Sequence, residues 1–250
     1  MRFESRTVFI TGAGSGIGRA AARLVASEGG QATCADVDAA ALEETVDGIQ
    51  RAGGRAVAAT CDVTDRASVV AALDAGRAAF TDLHAVFNVA GIGGLAHTAE
   101  VLEEEWNRIL AVNLTGTFLV SQAALPQLLA QRRSAIVNVA SIAGLKGQAY
   151  SAAYCASKWG VVGLTKAMAV EFVKRGLRVN CVCPAGVRTP LMGRFALPEG
   201  ADPDLMARFG LLPKLTHPEE VAEAMAYLAS DRARSINGAA LPLDFGNSAA

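Results

Sequence analysis

Short apolar runs alternate with longer amphipathic stretches along most of the chain. Residues 7–10, 32–35, 56–61, 85–89, 135–139, 177–182 and 241–243 are brief, almost continuously apolar runs. Runs of this length without a polar alternation predict strands buried on both faces. Between them, apolar positions recur every three to four residues and predict helices over 17–28, 39–51, 66–80, 103–131 and 154–175. Thr64 or Asp65 is the predicted N-cap of the third helix, and Gly53-Gly54 ends the second. Strand–helix alternation predicts an α/β fold: a doubly wound parallel sheet of the Rossmann type, about seven strands with helices on both faces. No linker or repeat interrupts it, so residues 1–250 are expected to form a single domain. In such a sheet the ligand lies at the C-terminal ends of the strands.

Composition narrows the class. The chain is 52% hydrophobic and 19% charged, which suits a packed core and not a disordered segment. Its formal net charge is -1, without single-sign runs, so no nucleic-acid partner is expected. No uninterrupted apolar run approaches the roughly 18 residues of a membrane span, and residues 1–10 lack the features of a signal peptide. The five cysteines are odd in number and form no Cys-x-x-Cys pair, which points to reduced thiols in a cytoplasmic protein. Three scattered histidines give no metal site.

Three stretches carry chemistry. Tyr154 and Lys158 lie four apart at the start of a predicted helix, hence on one face. A phenol titrates near 10, and a neighbouring ammonium favours the phenolate, so the pair is a candidate proton-transfer device. Thr11-Gly-Ala-Gly-Ser-Gly-Ile-Gly18 joins the first strand to the first helix. Glycines there let the backbone turn tightly and approach a pyrophosphate at the helix N-terminus. The spacing fits Thr-Gly-x-x-x-Gly-x-Gly on Thr11, Gly12, Gly16 and Gly18, not strict Gly-x-Gly-x-x-Gly, and no Gly-Lys-Ser/Thr follows. Asp36, eighteen residues beyond Gly18, stands where a dinucleotide fold holds the adenosine ribose hydroxyls. A 2′-phosphate would meet a like charge there, and neither Ser15 nor Val37 is basic, so NAD(H) is expected over NADP(H).

With these in place the chain resembles the short-chain dehydrogenase/reductase family, in its single-domain branch of about 250 residues, over essentially its whole length. Asp62-Val63 is similar to the family's adenine-contacting pair. Asn88, Ala90 and Gly91 match Asn-Asn-Ala-Gly after strand four. Asn113 matches an asparagine that holds a water beside the lysine, and Ser141 a substrate-polarising serine. Pro184, Gly186, Val187 and Thr189 look like the segment that holds the nicotinamide end. The resemblance implies that Tyr154 passes the hydroxyl proton, Lys158 tunes it and holds the ribose, and hydride moves between nicotinamide and a substrate carbon. Ser15 and Ile17 complete the implied cofactor contacts.

Three positions depart from the family pattern. Val89 replaces the second Asn. Ala185 stands for a Gly, which would cost about 1 kcal/mol or more at positive φ unless Gly186 takes the turn. Phe245 replaces a Gly in the C-terminal Val-Asp-Gly-Gly, where it is expected to touch the oligomer end and not the chemistry.

Residues 190–213 are irregular and rich in Leu, Met and Phe, which suits a lid over an apolar, cyclic or steroid-like alcohol or ketone. Ile92, Leu95 and Leu145 are expected to line the pocket, His97 and Gln148 to rim it, and Arg194 and Arg208 could clamp an anion. Cys155 is read as a packing thiol. Helix 154–175 is apolar nearly all round, which with the resemblance implies a homodimer or homotetramer. The expected function is an NAD-dependent alcohol dehydrogenase or ketone reductase. A 3-oxoacyl thioester reductase and a catalytically idle NAD-binding sensor are the alternatives.

Overall fold

The computed structural model describes residues 1–207, 209, 210, 212 and 214–249, without the side chains of Met206 and Ala207. Arg208, named above as a candidate anion clamp, and Leu211, Pro213 and the Met206 side chain, within the expected lid 190–213, therefore lie outside the described residues. Among the described residues, seven strands form one sheet: β1 (Thr7–Thr11), β2 (Gln31–Asp36), β3 (Arg55–Thr60), β4 (Ala85–Asn88), β5 (Ser134–Val139), β6 (Leu177–Pro184) and β7 (Ala240–Leu243). Every pairing is parallel and the order is β3-β2-β1-β4-β5-β6-β7. The winding reverses between β1 and β4, which opens a crevice beyond their C-terminal ends.

Alternation along β1 shows why both faces must be covered. Val8 and Ile10 join one apolar layer while Phe9 joins the other, as the strand period of two requires. The first layer packs under α1 (Gly16–Ser27), α2 (Ala39–Arg51) and α8 (Pro218–Ala229). The second packs under α3 (Arg66–Phe80), α5 (Gly116–Ala130) and α6 (Ala152–Phe172). Asp65 caps α3, its carboxylate accepting from Ala67 N at 3.0 Å and Ser68 N at 3.3 Å.

Three elements differ from the sequence expectation. The periodicity given above has no helix where α8 lies. Its alanine-rich stripe of Val221, Ala222, Met225, Ala226 and Leu228 is fully buried, and Glu220 accepts from His217 N at 2.7 Å to cap it. The stretch 103–131 is α4 (Glu103–Leu110) and α5 joined through one π turn, Ala111–Thr115. Together Glu103–Ala130 is long and apolar enough to cross a membrane, with mean hydropathy 1.4, which a search for uninterrupted runs does not register. Its Val120, Ala124 and Leu128 are buried in the layer beneath α3 and α5. The stretch 154–175 begins at Ala152 and ends in a 3-10 turn closed by Gly176 at φ +76°. A short helix, α7 (Pro203–Ala207), lies in the irregular segment after β6.

Candidate active site

The crevice is built by close approach of the loops after β1 and β4. Thr11 Oγ1 accepts from Val89 N at 2.9 Å and Ala90 N at 3.1 Å, tying the two strand ends together. Gly12 sits at φ +66°, and a Cβ there would come within 2.9 Å of Ala90 N. A Cβ on Gly18 would lie 2.1 Å from Gly12 O, so the turn closes only on glycine. Gly16, at φ +48°, meets Thr189 from beyond β6, whose Cγ2 would lie 2.8 Å from an added Cβ. Ser15, at the N-cap of α1, makes no side-chain cap, and the first turn around Ile17 holds no acidic residue. That helix end is therefore suited to an anion such as a pyrophosphate.

Asp36, at the end of β2, accepts from Gly14 N at 2.9 Å and from Asp38 N at 3.1 Å. The carboxylate thus holds the glycine turn. Arg19 donates to Gly14 O at 3.0 Å and pairs with Glu44 at 2.9 Å. Nothing in the glycine pattern points to Arg19, although it directly follows Gly18; it puts a cation beside a region read from sequence as lacking one. Asp62 turns back on Thr64, accepting from its N at 2.8 Å and its hydroxyl at 2.7 Å, while Val63 is buried against Gly116. The Asn88 side chain is directed into the core, donating to Ser121 Oγ at 2.9 Å and Asn138 Oδ1 at 2.8 Å. Ala90 and Gly91 stay half-buried in the loop beyond it.

Tyr154, Lys158, Ser141 and Asn113 come from three elements and meet around one loop. Asn113 lies in the π turn, a geometry frequent at functional sites. Its Oδ1 accepts from Ile92 N at 2.9 Å, and its Nδ2 donates to Ile92 O at 2.9 Å and Ser157 Oγ at 3.0 Å. It therefore pins the loop after β4 to α6, and its side-chain atoms are committed to protein partners. A Cβ on Gly91 would lie 3.3 Å from Asn113 Oδ1 and 3.5 Å from Lys158 Nζ. Ser141, at the end of β5, accepts from Ala143 N at 3.1 Å, and its hydroxyl stands close enough to the Tyr154 phenol to favour the phenolate.

Electrostatics depart from the sequence expectation. Burial pushes the Tyr154 phenol up to about 12, with the Ser141 hydrogen bond opposing it, and pulls the Lys158 ammonium down to about 8. Lys158 was expected to lower the phenol. Desolvation outweighs that, because both side chains are buried, Tyr154 at 9% and Lys158 at 4% exposure.

Beyond β6, the Ala185 strain does not arise: neither Ala185 nor Gly186 has positive φ, and Ala185 N donates to Leu243 O at 3.1 Å. Val187 is buried and pairs as a parallel bridge with Thr216, and Pro184 O accepts from Ser141 Oγ at 3.4 Å. A cavity of about 480 Å³ is lined by Ser141, Tyr154, Lys158, Pro184, Gly186, Val187 and Thr189. Leu95, Gln148, Leu191, Met192 and Phe195 line it as expected; Ile92, Leu145 and Arg194 do not. His97 lies apart, its Nε2 2.9 Å from Glu199 O and its ring against Tyr150. Phe245, expected to lie away from the chemistry, lines this cavity together with Asp244, Asn247 and Lys214. A larger groove of about 640 Å³ between α1, α2 and α8 holds none of these groups.

The family description for short chain dehydrogenases matches residues 6–199. The chain belongs to the short-chain dehydrogenase family. It is 38% identical over 244 residues to the cyclohexanol dehydrogenase of an Acinetobacter species, covering 97% of this chain and 95% of that one. It is 43% identical over 233 residues to the inactive 2-(S)-hydroxypropyl-CoM dehydrogenase 2 of Xanthobacter autotrophicus, covering 91% and 99%. The short chain dehydrogenase of Mycobacterium paratuberculosis bound to NAD superposes with a TM-score of 0.94 at 31% identity, over 100% of both chains. This short-chain dehydrogenase is thus an oxidoreductase of the class acting on CH–OH groups.

Proposed function

We propose that this chain is an NAD(H)-dependent enzyme interconverting an apolar, cyclic secondary alcohol and its ketone. One observation carries the reading: the Tyr154 phenol, the Lys158 ammonium and the Ser141 hydroxyl line one cavity whose other walls are largely apolar. Its similarity to a cyclohexanol dehydrogenase supports the substrate class.

Ser141 donates to the substrate oxygen and holds it beside the phenol. Tyr154 gives that oxygen its proton in reduction and takes it in oxidation. A phenol near 12 is protonated at neutral pH, so in reduction it has the proton to give. Lys158 holds positive charge beside the ring and donates from Nζ, and Asn113 fixes the loop that faces it. The cofactor is NAD(H), which supplies the two-electron chemistry by accepting or giving a hydride at its nicotinamide. Gly12, Ser15, Gly16, Ile17 and Gly18 would hold its pyrophosphate at the α1 N-terminus, and Asp36 its adenosine ribose. Asp62 and Val63 would border the adenine; Asn88, Ala90 and Gly91 would supply the β4 side, chiefly through backbone. Pro184, Gly186, Val187 and Thr189 would hold the nicotinamide end, with Tyr154 and Lys158 at its ribose.

Residues 1–250 act as one domain, with 190–213 as the substrate lid. Phe118, Trp159, Val170 and Val173 expose large apolar surface on and just beyond α5 and α6, which supports a homodimer or homotetramer through these helices. Five free thiols suit a reducing, cytoplasmic setting.

The relative named inactive favours one other reading, an idle NAD-binding protein. A panel of secondary alcohols, cyclohexanol among them, with NAD and NADP in parallel decides between them by absorbance of the reduced cofactor. Turnover with NAD is the expected result. Tyr154→Phe is expected to keep NADH binding and lose roughly 10²–10⁴-fold in kcat; an unchanged kcat removes Tyr154 from the mechanism.

A further inference from the structure

Phe195 is fixed from two sides. Its ring stands edge-to-face against Tyr154, with centroids 5.4 Å apart and planes at 81°. Its tip lies over Gly93 in the loop after β4. A Cβ on Gly93 would come within 2.4 Å of Phe195 Cζ and 3.1 Å of both Cε atoms. Gly93 is not at positive φ, so its backbone would accept alanine; the obstacle is the Phe195 ring. The ring is therefore keyed into a slot that the glycine leaves open.

The same ring lines the cavity that holds Tyr154 and Ser141. A substrate oxygen must come within about 3 Å of the phenol for its proton to pass. The carbons carried by that oxygen then have to fit in the space Phe195 leaves beside Tyr154. We propose that Phe195, keyed into Gly93, is the size-selecting wall of the substrate cavity, admitting a simple ring and excluding a bulky ring substituent. This rests on the reading of Tyr154 as the proton-transfer group.

The test is kcat/KM with NAD for 2-propanol, cyclohexanol and 4-tert-butylcyclohexanol in the wild type, Phe195→Ala, Phe195→Leu, Gly93→Ala and the Gly93→Ala/Phe195→Ala double variant. A methylene in an apolar pocket is worth roughly tenfold or more in discrimination. Phe195→Ala is accordingly expected to shift the ratio of the bulky alcohol to cyclohexanol at least roughly tenfold toward the bulky one, mainly through KM. Gly93→Ala, which displaces the ring tip, is expected to shift the ratio the same way. In the Phe195→Ala background it is expected to do nothing further, because the two act as one unit.

Thermal melts and NADH binding separate selectivity from folding, and Phe195→Leu carries the comparison if the alanine variant does not fold. An unchanged ratio in the Phe195 variants overturns the proposal. So does an equal loss for all three alcohols, or a Gly93 effect that adds fully to that of Phe195. The underlying reading fails separately: a fully active Tyr154→Phe defeats it whatever the Phe195 ranking, whereas an unchanged ranking beside an inactive Tyr154→Phe defeats only the size-selecting wall.

Discussion

Lys158 Nζ donates to the Val139 carbonyl at 2.9 Å and stands 5.5 Å from the centre of the Tyr154 ring. Its charge is therefore held by a backbone oxygen and the ring face, in a geometry that favours a cation over an aromatic ring. Burial acts on both partners against their charged forms, leaving the phenol near 12 and the ammonium near 8.

Two pH dependences follow from these directions. Lys158 binds fewer protons folded than unfolded between about 8 and 10.5, so its contribution to stability rises with pH across that window. Tyr154 binds more protons folded than unfolded between 10 and about 12, so its contribution falls there. Thermal melts of the wild type and Lys158→Met from pH 7 to 10 should show a gain that the variant lacks. In turnover, alcohol oxidation needs the phenolate and should accelerate steadily into the alkaline range, while ketone reduction stays level near neutrality. An oxidation profile that is flat from pH 7 to 10 contradicts Tyr154 as the base.

Asp36 has two tasks, which two variants separate. Asp36→Asn keeps an oxygen for Gly14 N but removes the charge that repels a 2′-phosphate. Its NADPH-to-NADH ratio of kcat/KM should rise roughly tenfold, and Arg19, held at Gly14 O, should supply the remaining attraction. Asp36→Ala also releases the glycine turn, and loss of a hydrogen bond to a charged group should raise KM for NADH by about tenfold or more. Equal cofactor ratios in wild type and Asp36→Asn contradict the ribose reading.

The sheet was legible because its strands are short, continuous and apolar, and the glycine turn and Tyr154-Lys158 spacing are local patterns. What was not legible depends on contacts between distant residues. The phenol's high pKa reflects burial, which spacing does not reveal. Arg19 acquires its place only when α2 brings Glu44 to the glycine turn. Phe245 and Asn247 reach the cavity because β7 lies beside β6, a pairing invisible in the C-terminal sequence alone. Helix α8 escaped because alanines weaken the contrast between its faces.

A buried polar chain ties the sheet to α6. Asn138, fully buried in β5, accepts from Asn88 Nδ2 at 2.8 Å and donates to Thr165 Oγ1 at 2.9 Å. Asn138→Ala leaves both partners short of a bond in the core, at a cost of about 2–4 kcal/mol. The melting temperature should fall by roughly 5–10 °C. A fall under a degree would show that the surrounding side chains re-pair without it.

Phe245 stands at φ +54°, half-exposed, at a position where the family pattern leads one to expect glycine. A left-handed backbone costs a side-chain-bearing residue about 1–2 kcal/mol, partly offset by the greater unfolded-state entropy of glycine. The turn is held in that shape by Asp244, whose carboxylate accepts from Gly246 N at 3.0 Å and Ser248 N at 2.7 Å. Phe245→Gly should therefore stabilise the fold by about 0.5–1 kcal/mol, a rise of roughly 2–3 °C in melting temperature. Phe245→Ala removes the same ring without relieving the backbone, so the difference between the two variants isolates the strain. If glycine is no more stable than alanine, the strain is absent and the ring alone accounts for any change. Because Phe245 also lines the cavity, both variants should raise KM for cyclic alcohols alike, independently of their melting temperatures.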